Sequence, residues 1–495
     1  MIIDGLRIKG VTCDSRKVKE GYAFVAITGE KQDGNKYIED AINNGAIIIY
    51  TERKMKLEKV KVVQVEDARI KLAELCNQFY QYPAEKLKVI GVTGTNGKTT
   101  TTHLIYETLK KAGVSVGIIG TLNIRINDII YETNLTTPIA EDVCRYLAMM
   151  VEQNVEVVVM EVSSHGLKNH RVHGIKFDVA IHTNIEKDHM NFHKTFDDYL
   201  KTKKKLFDQL APGKMAIINF DDVNSLRLLE DNDHIMVITY GLNTKSTITA
   251  SSIDCDCNIS FNYCMQRGIT TLSGVELDPF EYPVDVKLLG KHNVYNSLAA
   301  ITCCLMLDVS IDDIAKALED FKSLARRMEV IYQKEYTVID DFCHNPASYQ
   351  AVLESIQSMQ YKNLYIINAI RGNRGEEVNK DNAEVLAQWA ALLKAKELCI
   401  TASRDYCGRA DNVSNTERDA FLDVINDLGI SYRYEEKLED SIAKTIKQLE
   451  KNDLILLLGS QGMDKAKELF LKMMKDPEIF SSIDNKKNEQ CQSIH

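Results

Sequence analysis

No stretch of the 495 residues is apolar over the roughly 20 positions that a membrane-spanning helix needs. The N-terminus, Met1-Ile2-Ile3-Asp4-Gly5-Leu6-Arg7, lacks the charged, apolar and small-residue regions of a secretory leader. The twelve cysteines show no paired CxxC spacing; Cys255 and Cys257 stand one residue apart, and Cys303 and Cys304 are adjacent. No histidine stands at ligand spacing to a cysteine pair, which speaks against a zinc site. Reduced, buried thiols in a cytoplasmic protein without membrane insertion are the expectation. Positive charge is also short: the net charge is −10, which argues against a nucleic-acid-binding surface. An acidic chain can still hold an anionic nucleotide locally, at a helix N-terminus with a few basic side chains. There is no internal repeat and no low-complexity tract. Hydrophobic residues make up 44% and charged residues 27%, enough to bury sizeable cores. The length suggests about three domains.

What is present is a run of glycines and hydroxyls, Gly91-Val92-Thr93-Gly94-Thr95-Asn96-Gly97-Lys98-Thr99-Thr100. It follows an apolar stretch, Leu87 to Ile90, that predicts a strand. It precedes an amphipathic stretch, His103 to Ala112, that predicts a helix ending at Gly113. Strand, glycine-rich loop and helix form a P-loop, whose backbone N–H groups cradle phosphates. Lys98 would reach the β- and γ-phosphates, and the Thr99 hydroxyl would hold Mg²⁺. The strict pattern places glycine where this chain has Val92. The competing reading is a glycine-rich turn with no ligand; the flanking strand and helix weigh against it.

The rest of the chain divides in three. Residues 1–87 carry expected strands at Ala23–Thr28 and Ala46–Thr51, with helices at Tyr37–Asn44 and Arg69–Tyr80. Gln81-Tyr82-Pro83 marks the boundary. Residues 88–324 alternate apolar strands with helices: Val89–Val92, Val114–Ile119, Val155–Val162, Phe177–Thr183 and Met215–Asn219. That is the pattern of a parallel sheet covered on both faces. Thr247–Pro283 shifts to short alternating stretches, an antiparallel subregion, followed by a helix, Val294–Leu307. Residues 325–495 carry a second α/β pattern, with strands at Thr337–Asp341, Leu364–Ile370, Leu398–Ala402 and Leu454–Leu458. Residues 483–495 are polar and expected to fray.

Polar residues cluster at the expected strand ends, where open α/β sheets place their sites. Glu161 follows the run Val157–Met160, with Ser163, Ser164 and His165 next. Asp188 and His189 lie just beyond Thr183-Asn184. A carboxylate near a P-loop holds Mg²⁺ directly or through water. His189 reads either as a ligand or as a surface histidine.

Taken in order, these motifs resemble the Mur ligases, ATP-dependent amino-acid ligases of peptidoglycan synthesis. The similarity is greatest to the members that add the third residue to UDP-N-acetylmuramoyl-L-Ala-D-Glu, and it runs from about Val11 to Phe342. The resemblance implies a small N-terminal α/β nucleotide-sugar domain, a central ATPase-like parallel sheet and a C-terminal Rossmann-like α/β domain. Asp14-Ser15-Arg16 and Asp33-Gly34 resemble the uridine-nucleotide domain, with Ser15 contacting the uridine part; the family usually has histidine where this chain has Asn35. The resemblance assigns Gly94, Thr95, Asn96, Gly97, Lys98, Thr99 and Thr100 to ATP. It assigns Thr136, Thr137, Ser163, Asn169 and Arg171 to the muramoyl dipeptide, although Asn169 replaces a frequent glutamine. In Gly290–Asn296 it puts Asn293 near adenine. Arg327 and His344 would lie near the phosphates and Asp341 at the ribose. Thr99, Glu161, His189 and Lys203 would serve metal, with Lys203 carbamylated. Carbamylation makes an ammonium into an oxygen donor that a hard cation prefers. The bland reading of Lys201–Lys205 is a solvated basic helix face.

The C-terminal segment departs from the pattern. Diaminopimelate-adding members carry Asp-Asn-Pro-Arg; the corresponding region here reads Thr401-Ala402-Ser403-Arg404-Asp405-Tyr406-Cys407-Gly408-Arg409, with neither that motif nor the close variant of lysine-adding members. Gly-Lys-Gly-His-Glu is replaced by Gly459-Ser460-Gln461-Gly462-Met463-Asp464, and Gly-Asp-Arg-Asp by Gly372-Asn373-Arg374-Gly375 after Arg371. Arg371, Arg374, Arg404 and Arg409 either read a different carboxylate or are surface charges. The implied reaction is amide formation through an acyl phosphate, by a monomeric enzyme acting on small molecules, with His344 helping to close the C-terminal domain over ATP. Three alternatives stay open: a ligase acting on another carboxylate acceptor, a non-catalytic nucleotide-binding relative, and a P-loop ATPase that moves a macromolecule.

Overall fold

The computed structural model describes residues 1–29, 32–188, 190, 192–255 and 258–475. The expected frayed tail, 483–495, lies outside them. Among the described residues, the chain builds three main sheets, each with helices packed on it.

The first sheet is parallel, in the order Gly10–Thr12, Tyr22–Ala26, Ala46–Thr51, Lys61–Gln64. Its two outer strands were not expected; three or four residues are too few to show a period. One face packs on helix Ile38–Asn43 through Phe24, Ile38, Ala41 and Ile49. The other face has no separate core. Val11, Ala23 and Val25, with Leu72 and Leu75 of helix Ala68–Phe79, join one apolar cluster with Val89, Val143 and Leu147 of the second segment. Truncating a shared side chain such as Leu72 to alanine costs about 2–5 kcal/mol and loosens both segments together.

The second sheet has eleven strands. Seven parallel strands form its middle, in the order Val116–Ile119, Val157–Glu161, Lys88–Thr93, Val179–His182, Met215–Asn219, Met236–Tyr240, Ile248–Asp254. Antiparallel strands finish both edges: a hairpin, Ile124–Ile126 with Ile129–Tyr131, and the pair Ile259–Met265 and Phe280–Val286. Lys88–Thr93 lies near the centre, so its C-terminal end opens between covered faces. Helices Lys98–Lys111 and His292–Met306 cover one face. Helix Ala140–Glu152 covers the other.

The helix expected to begin at His103 begins at Lys98, directly after the glycine loop. Thr99 to Thr102 are poor helix formers whose polarity hides the period. They are buried nonetheless, because the loop geometry fixes where the helix starts.

The third sheet has six strands, in the order Glu329–Gln333, Thr337–Asp341, Leu454–Leu458, Leu364–Ala369, Glu397–Thr401, Arg433–Glu435; the first pair is antiparallel and the others parallel. The linker into it turns at two non-glycine residues with positive φ, Arg326 (+58°) and Met328 (+48°). Arg326 is held there by Asp340, Asp464 and the carbonyls of Gly459 and Ser460. The described cysteines Cys13, Cys76, Cys144, Cys264, Cys303, Cys304, Cys343, Cys399 and Cys407 are free thiols. No helix among the described residues is long and apolar enough to cross a membrane.

Candidate active site

The loop after Lys88–Thr93 is shaped by contacts that exclude side chains. At Gly94 (φ +155°) a Cβ would lie 1.8 Å from the Thr183 hydroxyl; at Gly97 (φ +84°) it would lie 2.4 Å from Asn296 Oδ1. Only glycine adopts these positions without moving a neighbour. Asn184 accepts the Thr95 N–H on its carbonyl at 2.7 Å and the Asn96 N–H on its Oδ1 at 2.9 Å. Thr183 donates its hydroxyl to the Asn96 carbonyl at 2.6 Å. The Thr95 hydroxyl meets the Tyr199 hydroxyl at 3.0 Å.

Two lysines converge on this loop. Lys98 Nζ donates to the carbonyls of Gly94 and Thr95 at 2.8 and 2.7 Å, and Lys203 Nζ donates to Gly94 at 2.7 Å. Among the described residues, neither has a carboxylate partner at these distances. Burial pushes both ammonium groups below the usual lysine range, Lys203 well below it, where repulsion from Lys98 adds to burial. Helix Phe196–Asp208 resolves the register of the lysine run: Lys203 turns inward and is 1% exposed. Lys201 and Lys204 pair outward with Asp197 and Asp208.

Glu161 ends its strand fully buried. It accepts the hydroxyls of Thr99 and Thr121 at 2.9 and 3.0 Å and the Thr121 N–H at 2.7 Å. The Thr99 hydroxyl and the Glu161 carboxylate are the hard oxygen donors that Mg²⁺ prefers. Among the described residues, no group of three or more His, Cys, Asp or Glu is arranged to hold a metal. Lys203 as an ammonium would repel a cation. His189, the other expected ligand, lies outside the described residues.

The C-terminal segment closes over this loop. The side-chain amides of Asn96 and Asn345 exchange hydrogen bonds at 3.2 and 3.3 Å. Buried Asp188 faces His344 Nε2 at 3.5 Å and Arg371 at 3.6 Å. Burial lowers the pKa of His344, and Asp188 partly offsets it. Arg327 donates to the Thr99 hydroxyl at 3.5 Å and lies over the Phe342 ring, whose centroid is 5.2 Å away.

A cavity of about 1640 Å³ joins these parts, with walls from all three segments. It exceeds the roughly 300–1,000 Å³ usual for one small ligand, leaving room for more than one. The expected nucleotide residues, Gly94 to Thr100, Asn293, Arg327 and Asp341, all line it. So do Thr136, Glu161, Ser163, Asn169, Arg171, Lys203 and His344. Thr137 stands behind the wall, its hydroxyl donating to the Glu161 carbonyl at 2.8 Å. Ser15 is buried in the first segment and does not line the cavity. Sequence reasoning missed Thr121, Asn296 and Arg69. Thr121, two residues past the strand Val116–Ile119, carried the strand-end signal that picked out Glu161.

Three family models match the chain in this order: the Mur ligase family catalytic domain over residues 7–80, the Mur ligase middle domain over 92–304, and the Mur ligase glutamate ligase domain over 326–461. A curated relative, UDP-N-acetylmuramoyl-L-alanyl-D-glutamate–2,6-diaminopimelate ligase of Oceanobacillus iheyensis, is 34% identical over 470 residues, covering 92% of this chain and 90% of the relative. A solved structure of a ligase of that name superposes with a TM-score of 0.65 at 22% identity, covering 93% of this chain and 92% of that one. MurF ligase from Thermotoga maritima, solved in complex with ADP, gives 0.64 at 20% identity, covering 93% and 97%. The two structures share the fold; the relative and the ordered domain matches carry the descent. On that ground, the chain belongs to the Mur ligase family.

Proposed function

We infer that the protein is an ATP-dependent ligase that joins an amino acid to UDP-N-acetylmuramoyl-L-Ala-D-Glu through an acyl phosphate. The observation that carries this reading is the single cavity in which the phosphate loop, Glu161 and the C-terminal residues Arg327, His344 and Arg371 meet. The name of the 34% identical relative supports the choice of acceptor.

In the first step a carboxylate oxygen of the acceptor forms a bond to the γ-phosphorus, and ADP leaves. In the second the amine nitrogen of the amino acid bonds to the acyl carbon, phosphate leaves, and the nitrogen gives up its proton. Lys98 stands where negative charge would gather on the transferring phosphoryl group. Arg327 approaches the same point from the other side. Asn96 and Asn345 hold the two walls together, which keeps water from the labile acyl phosphate. Thr99 and Glu161 would hold Mg²⁺, which supplies charge neutralisation on the phosphates when bound.

Within this reading Lys203 is carbamylated: its nitrogen bonds to the carbon of CO₂ and loses a proton, leaving a carbamate. A depressed lysine pKa favours the neutral amine that this requires. Ser15, Thr136, Thr137, Ser163, Asn169 and Arg171 serve the muramoyl dipeptide, and His189 serves metal. Residues 1–87, 88–324 and 325–495 act as the nucleotide-sugar, ATP and amino-acid units. The enzyme acts as a cytoplasmic monomer on small molecules. A second reading, the same chemistry on another carboxylate acceptor, is favoured by the departures around Arg371 and Gln461.

The test is ADP release with ATP, Mg²⁺ and UDP-N-acetylmuramoyl-L-Ala-D-Glu, with hydroxylamine present to trap the acyl phosphate as a hydroxamate. A hydroxamate of the matching mass is expected. Its absence, with ATP bound, discards this acceptor. Removal of bicarbonate is expected to lower the rate, and Lys203→Ala to abolish that dependence.

A further inference from the structure

The cavity wall contributed by the C-terminal segment carries more arginines than acids. Arg327, Arg371 and Arg374 line it, against a single acid, Asp341. That acid is already in use: it accepts the Met328 N–H at 2.8 Å and the Cys343 thiol at 3.2 Å.

The acids around this wall are engaged as well. Asp188 faces Arg371 and His344 from across the cleft. Asp411 accepts from Arg374 at 3.2 Å. Asp464 pairs with Arg326. Glu417 accepts the N–H groups of Asn373, Arg374, Gly375 and Ser414 at 2.8–3.1 Å, which fixes the loop that carries Arg374. Among the described residues, this wall therefore offers no uncommitted carboxylate. It does offer a donor: Arg371 is 9% exposed, and its Nε–H is buried without a partner.

An ammonium entering here would lose its hydration and meet guanidinium groups. A carboxylate would meet Arg371 and the half-buried Arg374. Leaving a buried charge unpaired discriminates far more strongly than a change of size.

We propose that the amino acid ligated by this protein carries one amino group, the one that forms the new bond, and that Arg371 and Arg374 hold its carboxylate. The proposal rests on the ligase reading above. It separates this chain from the diamino substrate in its relatives' name.

The full-length protein is assayed with ATP, Mg²⁺, UDP-N-acetylmuramoyl-L-Ala-D-Glu and one amino acid at a time: glycine, L-alanine, L-serine, L-aspartate, L-glutamate, L-lysine, L-ornithine or meso-diaminopimelate. Products are identified by mass. A mono-amino acid is expected to give a kcat/KM at least about 100-fold above every diamino acid. A diamino acid as the best substrate overturns the proposal. Hydroxamate formation with no amino-acid product also overturns it, while leaving the ligase reading in place. Failure to form hydroxamate with ATP bound discards this acceptor, and the proposal, which is read with that acceptor, falls with it. In Arg374→Glu the preference is expected to narrow by about tenfold as the new acid accepts an ammonium; an unchanged ratio counts against Arg374 as a reader.

Discussion

The two walls of the cavity handle charge in opposite ways. On the phosphate-loop side, Lys98 and Lys203 rest on backbone carbonyls, and Glu161 rests on hydroxyls and an N–H. Among the described residues, none of the three is paired with an opposite charge at those distances. On the C-terminal side, Arg371 faces Asp188 and Arg374 faces Asp411. The first wall holds its charges for a ligand. The second is close to neutral until a ligand competes for it. Removing a charge from the first should therefore cost rate, and from the second, choice of substrate.

Lys98→Ala gives the largest expected effect. Its ammonium would face the transferring phosphoryl group, and losing one such donor costs about 10²–10³-fold in kcat. The unfolding midpoint should barely move, because a neutral group replaces a desolvated cation. Arg371→Ala, assayed by hydroxamate formation, should lose less than about tenfold, since no phosphoryl charge develops beside it. Equal losses in the two variants would erase the distinction between the walls.

A smaller effect is expected in stability, behind the C-terminal wall. Asp340 is 1% exposed, and its Oδ2 has no hydrogen-bond partner. Burial outweighs the neighbouring Arg326 and raises its pKa to about 6. A carboxyl raised above its unfolded value stabilises the fold fully below the unfolded pKa, near 3.8. That contribution is lost as pH rises through about 6, at most about 3 kcal/mol in all. Wild type should thus lose stability relative to Asp340→Asn between pH 4.5 and pH 7.5. Urea midpoints for both proteins at the two pH values provide the check. Parallel pH dependence would mean that Arg326 neutralises Asp340 after all, as the loop-facing arginines are neutralised.

The contrast between the walls also marks what the amino-acid sequence discloses. Strands Met215–Asn219, Thr337–Asp341 and Leu454–Leu458 begin and end as expected, because continuous apolar runs buried on both faces need no partner to be recognised. The hairpin Ile124–Ile126 with Ile129–Tyr131 is too short for any period to show. The phosphate loop is legible because its chemistry is local: glycines, a lysine and a hydroxyl at fixed offsets. The opposing wall is not, because its state depends on who neutralises whom across the fold. Arg371 reads equally well as a carboxylate reader or a surface charge until Asp188 is seen against it. Asn96 and Asn345, 249 residues apart, carry no mark of their contact. The inward turn of Lys203 lies between these cases, since helical spacing narrows the choice and only packing decides it.

Asn345 supplies the smallest and most discriminating expectation, because it belongs to both walls at once. Its side chain caps helix Pro346–Ile356 by accepting the Ser348 N–H at 2.9 Å, and its amide also meets Asn96 of the phosphate loop. Asn345→Ala removes cap and bridge together and should cost about 1 kcal/mol of stability. Asn345→Asp keeps the cap, since aspartate serves as well at that position. It removes the donor to Asn96 and brings a negative charge to the loop that receives phosphates. Stability should then stay within a few tenths of a kcal/mol of wild type, while the KM for ATP rises several-fold. The rise should shrink as salt screens the new charge. If Asn345→Asp leaves the KM for ATP unchanged at low salt, the amide pair does not hold the walls together, and contacts such as those of Asp188 and Arg327 join the two sides of the cavity without it.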